Sequence, residues 1–485
     1  MRLSGRLLGW GALVALTAIA GPAFAQTAAE HAPAAAAATH AATALPFDPD
    51  VATREWLNTM NSASRARSDS YFEGGYWIQF VGPIIGFVIA FLVLQLGWAK
   101  GVRAWLEKTV KVYFLVVIGF FLFYSLIGLV TLPWDYWVGF VREHDYGLSR
   151  QTFTQWATEA AQGFGLNLAI GSIGISILYF VIWLAKKNWW IWGTVAAIAL
   201  LAVSSMLAPV YIAPIFNHYT PMAESPLRTS VLQTAQANGV PADNVYVFDV
   251  SRQSNRVTAN VSGFAGTTRI SMADNLINRE SPGGVRAVLG HEIGHYVLNH
   301  TVSLMVMFAF MIVIVFALAN WLFSKLSAGE RWGIRNIWDP AGMPLLFSII
   351  GFMFLIATPI QNNIVRFHEH QADMFGLNAA REPDGFAESA LLLSEYRKME
   401  PSPFEEWFFY DHPSGYDRIH MAMVWKAHHM ALGDIPMGPG GPPPGWHPDF
   451  VVMQHGANAS APAASTPAQS SAATTTTTAA SHGAP

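Results

Sequence analysis

The sequence predicts a mainly α protein, a polytopic membrane helical bundle or barrel that carries a small α+β domain. Three observations predict it. Charged residues make up 12% of the 485 positions and hydrophobic residues 52%, about half the charge of an ordinary globular chain. Six apolar runs, at about 77–98, 112–134, 165–185, 189–212, 304–324 and 343–360, each approach the ~20 residues a bilayer crossing requires. Between the fourth and fifth runs, residues 217–303 alternate in strand-like fashion and close on VRAVLGHEIGHYVLNH.

Composition narrows the chemistry. The formal net charge of −4 is small and dispersed, which argues against a nucleic-acid partner. There is no cysteine, so disulfides are excluded and any metal must be held by histidine and carboxylate.

Taken in order, residues 1–25 read as a secretory signal or its uncleaved anchor form. Arg2 and Arg6 precede an apolar stretch, and Ala23-Phe24-Ala25 supplies a small-x-small cleavage site. Residues 26–50 are rich in Ala, Thr and Pro and are expected to lack fixed structure. The loops between the apolar runs alternate in charge. Lys100, Arg103, Lys108 and Lys111 oppose Glu107 alone, Lys186 and Lys187 mark the second basic turn, and Lys325, Arg331 and Arg335 the third. Positive loops stay in the cytoplasm, which places residues 213–303 and everything after 360 on the far side. The signal-like start leads to the same orientation.

Residues 244–250, 257–261 and 267–272 are predicted strands, with Gly263 and Gly266 marking a turn. Asn260 sits on the second, either as an ordinary surface residue or where an extended peptide would pair. The helix that follows begins at Ser281-Pro282 and holds His291, Glu292 and His295 as H-E-x-x-H. Residues four apart share a helical face, so both imidazoles reach one metal ion, and Glu292 reaches a water on it without ligating. A catalytic zinc needs a third protein ligand. The extended H-E-x-x-H-x-x-G-x-x-H pattern fails, because Leu298 stands where it requires Gly and Thr301 where it requires His. His300 is one residue early and is expected to point elsewhere. The better candidate is Glu369 in E-x-x-x-D, with Asp373 on the same face to hydrogen-bond a ligand imidazole; His368 and His370 are rivals on other faces. His412, in Asp411-His412-Pro413-Ser414, and Arg418 are candidates to hold an oxyanion, and His412 reads equally well as a loop residue. From about 434 the chain is Pro/Gly-rich and then Ala/Ser/Thr-rich, a composition that buries no core.

These motifs together resemble the type I CAAX prenyl protease family, integral-membrane zinc metalloproteases related to the HtpX-like membrane proteases. The resemblance runs from about 70 to 430. It rests on Glu143-x-x-x-Gly147-Leu148-Ser149-x-Gln151-Thr152, Ala213-Pro214-Ile215-Phe216-Asn217 with Pro221, and Asn260-Val261-Ser262-Gly263-Phe264. The H-E-x-x-H helix, Arg366-x-x-Glu369-x-x-x-Asp373, and His412-Pro413-Ser414 with Arg418 follow in family order. It implies one Zn2+ per chain on His291, His295 and Glu369, Glu292 as general base, and His412 with Arg418 near the oxyanion. It also implies that Asn260, with Gly263 beside it, holds substrate, in a gluzincin-like zinc protease domain joined to a helical barrel. Eukaryotic members have seven spans, whereas six are expected here, and a catalytic site outside the cytoplasm fits poorly with a prenylated substrate.

The resulting division is a signal at 1–25, an extracytoplasmic Ala/Pro-rich segment at 26–70 and a four-span membrane domain at 71–216. A zinc peptidase domain with two spans follows at 217–433, and a low-complexity tail at 434–485. The expected function is a membrane metalloendopeptidase acting on peptide or protein substrates, lipid-modified or membrane-inserted, in contact with membrane lipids. A quality-control protease and a non-catalytic scaffold on the same fold are the alternatives. A transporter is disfavoured by the lack of an inverted repeat.

Overall fold

The computed structural model describes residues 47–262 and 268–434. The signal at 1–25, most of the segment after it, Gly263 and the tail lie outside the described residues.

Of the segment expected to lack structure, only residues 47–50 are described, and the last two of them open a helix. Asp48 accepts from the backbone N–H groups of Asp50 and Val51 to cap α1 (Pro49–Asn58), whose Trp56 and Leu57 are buried. Asn61 caps the long helix α2 (Ser62–Gln95). Gly97, at φ 73, then turns the chain into α3 (Trp98–Thr109), and α4 (Tyr113–Gly128) follows. Short helices α5 (Leu132–Tyr136) and α6 (Arg142–Asp145) flank a π-turn. A Thr152–Gln155 capping box opens α7 (Phe153–Ala185), after which come α8 (Trp189–Leu207) and α9 (Ala213–Phe216).

Five uninterrupted helical runs are long and apolar enough to cross a membrane: Ser62–Gln95, Tyr113–Asp145, Phe153–Phe216, His300–Leu326 and Pro340–Ala380. The third, 64 residues long, doubles back at Lys186, where φ is 46. That turn, with ψ −102, ends α7 and lets α8 pack beside it. The six apolar runs of the sequence therefore fall on six helices: α2, α4, α7, α8, α13 (His300–Leu326) and α14 (Met343–Ala380). Their shared core is built from Phe120, Phe121, Tyr179, Trp189, Phe316 and Phe323. Outward residues such as Phe310 and Trp192 are exposed, the arrangement of a bundle solvated by lipid.

Two ends result. Loops 96–112, 186–188 and 327–342 gather at one. The expected strands appear at the other as β2 (Val245–Phe248), β3 (Ala259–Ser262) and β4 (Arg269–Ala273), preceded by an unforeseen β1 (Tyr219–Pro221). The sheet order is β1-β2-β4-β3, with only β2 and β4 parallel. Between β1 and β2 lies α10 (Pro226–Ala237), and α11 (Asp274–Arg279) leads into α12 (Pro282–Val297). Ile270, Met272 and Leu276 pack under Val285, Leu289 and Ile293 of α12. The remaining helices, α15 (Pro383–Leu392), α16 (Pro403–Phe409) and α17 (Gly415–Leu432), enclose the same end. α1 docks there too, with Phe47, Trp56, Leu57 and Met60 in one core with Phe386, Ile419 and Met423.

Candidate metal centre

Two helices make the site, and glycine lets them meet. Gly290 and Gly294, one residue before each histidine of H-E-x-x-H, face α14. A Cβ on Gly290 would lie 2.8 Å from the carbonyl oxygen of Gly376, and one on Gly376 would lie 2.7 Å from the backbone nitrogen of His291. Backbone therefore packs directly on backbone, which no larger residue permits. This is what brings Glu369 against the two imidazoles.

The Nε2 atoms of His291 and His295 are 3.1 Å apart. Glu369 Oε2 is 3.3 Å from His291 Nε2, and Oε1 is 3.6 Å from His295 Nε2. Bonds of about 2.0–2.1 Å to a tetrahedral zinc imply ligand–ligand separations of roughly 3.3 Å, so the spacing fits one ion. Glu369 Oε2 is buried, with His291 Nε2 at 3.3 Å and His412 Nε2 at 3.0 Å, and a cation between the three residues would compensate its charge. Burial favours a neutral His291, but the carboxylates of Asp373 and Glu369 outweigh it and push the imidazole up to about 10. The local field is that of a cation site.

Behind the ligands, each imidazole is fixed by its other nitrogen. With Nε2 turned to the site, His291 Nδ1–H donates to Asp373 Oδ1 at 2.7 Å. Asp373 is fully buried and is gripped by Arg418, whose Nε donates to Oδ2 at 3.0 Å and whose second terminal nitrogen donates to Oδ1. Arg418 therefore secures Asp373.

His295 has a partner that the spacing argument missed. Its Nδ1 lies 2.9 Å from Nδ1 of His300, which is 3% exposed. The expectation that His300 points elsewhere assumed one continuous helix. Asn299 instead adopts φ 52, ending α12 and starting α13, so the chain folds His300 back behind His295. Asn tolerates that conformation, and its place just after the motif was the available signal. The rival ligands stand apart. His368 commits Nδ1 to the Ile364 carbonyl oxygen and Nε2 to Ser303 Oγ, each at 2.8 Å, and His370 is exposed.

Glu292 is half-buried, with no hydrogen bond or ion pair to the described residues. His412 enters from the loop before α17, its Nε2 3.0 Å from Glu369 Oε2 and its Nδ1 2.9 Å from Asp411 Oδ1. Asn260 lies on edge strand β3, opposite Ser271 of β4, and β3 packs beside α12. Gly263, its expected companion, falls outside the described residues.

Two family models match the chain. One, described as peptidase family M48, covers residues 221–426; the other, described as CAAX prenyl protease N-terminal, five membrane helices, covers 52–218. The uncharacterized metalloprotease YhfN of Bacillus subtilis is 26% identical over 368 residues, covering 75% of this chain and 86% of that protein. CAAX prenyl protease 1 of Saccharomyces cerevisiae is 29% identical over 317 residues, covering 61% and 69%. The crystal structure of S. mikatae Ste24p shares the fold, with a TM-score of 0.63 at 20% identity over 77% of this chain and 95% of that one. An integral-membrane helical bundle bearing this peptidase unit identifies the chain as a metalloprotease of peptidase family M48, with the N-terminal membrane region of the CAAX prenyl proteases.

Proposed function

We propose that the chain is a zinc-dependent endopeptidase in which His291, His295 and Glu369 hold the metal and Glu292 is the general base. The observation that carries this is the convergence of three ligand atoms, from His291, His295 and Glu369, within 4.8 Å of one another. His₂Glu is a donor set that suits zinc. A bound zinc would supply Lewis acidity and bring the pKa of a water toward ~7. Glu292 then takes that water's proton as it attacks the scissile carbonyl, and passes it to the departing amine. His412, held by Asp411, donates from Nε2 to the carbonyl oxygen as charge develops there. Asp373 and Arg418 keep His291 in the tautomer that leaves Nε2 free. The peptide pairs with edge strand β3 at Asn260.

Glu292→Gln tests this reading: the variant is expected to keep its zinc and lose peptide hydrolysis by several orders of magnitude. Wild-type cleavage by that variant would refute it.

The catalytic end faces away from the cytoplasm. Supporting this, α1 docks on the peptidase helices, so the segment following the signal-like start shares their side, and the basic loops lie at the other end. The relatives' names carry CAAX processing, but an extracytoplasmic site favours membrane-inserted or exported polypeptides as substrates. Because the chain has no cysteine, single cysteines at Thr220 and Lys187 report orientation directly. An impermeant maleimide is expected to label only the first in intact cells, and labelling only the second would reverse the orientation.

A further inference from the structure

We propose that the end of the bundle opposite the metal centre is a binding surface for anionic phospholipid headgroups, centred on Lys100, Lys108 and Arg331. Residues 96–112, 185–189 and 325–342 together hold nine cations against Glu107, Glu330 and Asp339. Two of those acids are engaged by two of the cations. Arg103 and Arg335 both bond Asp339, and Arg335 also bonds Glu107. Lys100, Lys108, Lys111, Lys186, Lys187, Lys325 and Arg331 are exposed and make no ion pair with any described residue.

Contacts across the core bring these loops to one end. The ring of Phe114, at the start of α4, lies 6.5 Å from Trp183 near the end of α7. Trp189 Nε1 donates to Asn320 of α13 at 2.9 Å, and Arg103 of α3 donates to the Gly333 carbonyl oxygen at 3.3 Å.

The three central cations are arranged and not merely numerous. A Cβ on Gly333 would lie 3.2 Å from Lys100 Cδ, so the lysine stem is laid against the segment that carries Arg331. The Arg331 guanidinium stacks 4.4 Å above the Trp332 ring, and the Trp332 indole N–H is anchored to Gln95 Oε1 at 3.1 Å. On α3, Ala99 and Leu106 face the protein. Trp98 and Trp105, seven residues apart and therefore on one stripe, are 49% and 63% exposed, with Lys108 on the side of that stripe away from the protein. Indoles at headgroup depth flanked by cations at phosphate depth describe a helix lying in the membrane interface. Leaflet orientation alone asks only for positive charge, whereas a lysine stem laid against Gly333, a stacked guanidinium and an indole stripe form a receptor for a phosphodiester with acyl chains attached.

The test uses the full chain in nanodiscs of phosphatidylcholine with or without phosphatidylglycerol. Native mass spectrometry of lipid retained on release and the unfolding midpoint are the readouts. Wild type is expected to retain phosphatidylglycerol preferentially and to unfold at higher temperature with it. Lys100→Gln/Lys108→Gln/Arg331→Gln should lose about fivefold in affinity per cation, roughly 100-fold in all. The charge-retaining Lys100→Arg/Lys108→Arg should keep the preference, as should Arg150→Gln/Arg228→Gln at the peptidase end. A wild-type protein without headgroup preference would overturn the proposal, with no variant needed. So would full retention by the triple variant, or displacement of the lipid by millimolar glycerol phosphate, which would make the surface a free-anion site.

Discussion

Gly376→Ala isolates the contact on which the metal centre depends. The added methyl would sit 2.7 Å from His291 N, 3.0 Å from Gly290 C and 3.0 Å from His291 Cα. All three are backbone atoms of α12, so no side chain can swing aside. Ordinary contact begins near 3.4 Å, and α12 and α14 must separate by about 0.7 Å. Overpacking of this kind costs about 1–3 kcal/mol. The same displacement moves Glu369 away from the two imidazoles by more than the ~0.2 Å that a metal–ligand bond tolerates. Metal affinity should therefore fall on the order of 10- to 100-fold, as it does when a ligand is mispositioned. The assay is metal retained against a chelator series, with the unfolding midpoint alongside. Gly75→Ala on α2, where a Cβ meets nothing within 4 Å, is the control and should change stability by less than ~1 kcal/mol. If Gly376→Ala binds metal as wild type does, close helix packing is not what assembles the site.

Two further predictions rest on buried side chains of the peptidase end. His300→Phe removes the acceptor behind His295 and should weaken metal binding about 10- to 100-fold, whereas His300→Asn, which can place an oxygen near the Nδ1 position, should retain most of it; equal losses would mean that His300 serves only to pack. Glu280, which is buried and accepts from Ser389 Oγ at 2.5 Å, is pushed up to about 8 by that burial, with Glu388 adding to the rise. Its folded-state value exceeds the unfolded one, so its contribution is full below pH ~4.5. Stability then falls by roughly 1.4 kcal/mol per pH unit until the group ionises near about 8. Glu280→Gln should flatten the pH dependence of unfolding across that window, and an unchanged slope would contradict the assignment.

Much of this architecture was readable because periodicity and spacing are local. The six apolar runs needed only length, and H-E-x-x-H needed only the rise of a helix to put His291 and His295 on one face. Glu369 was found by the same i, i+4 logic, since Asp373 follows it at the interval that places both on the face turned to α12. What escaped depends on contacts between distant segments or on a single dihedral angle. The left-handed Asn299 redirects His300, and an assumption of helical continuity conceals that. Gly290, Gly294 and Gly376 read as weak helix formers until the two helices are seen to cross at them. Arg418 lay in a motif that suggested substrate, yet its partner is a carboxylate 45 positions earlier in the chain. α1 was hidden by its neighbours, because the Ala- and Pro-rich composition before it masks a ten-residue helix whose Trp56 and Leu57 have a core to enter.

The central claim is that two imidazoles and one carboxylate hold a single metal ion. Zinc-edge X-ray absorption on the purified protein, with metal content by mass spectrometry, tests it most directly. About one zinc per chain is predicted, with two nitrogen ligands and one carboxylate oxygen from the protein at roughly 2.0–2.2 Å, and with that oxygen lost in Glu369→Gln. A protein without metal, or a coordination shell unchanged in Glu369→Gln, would contradict it.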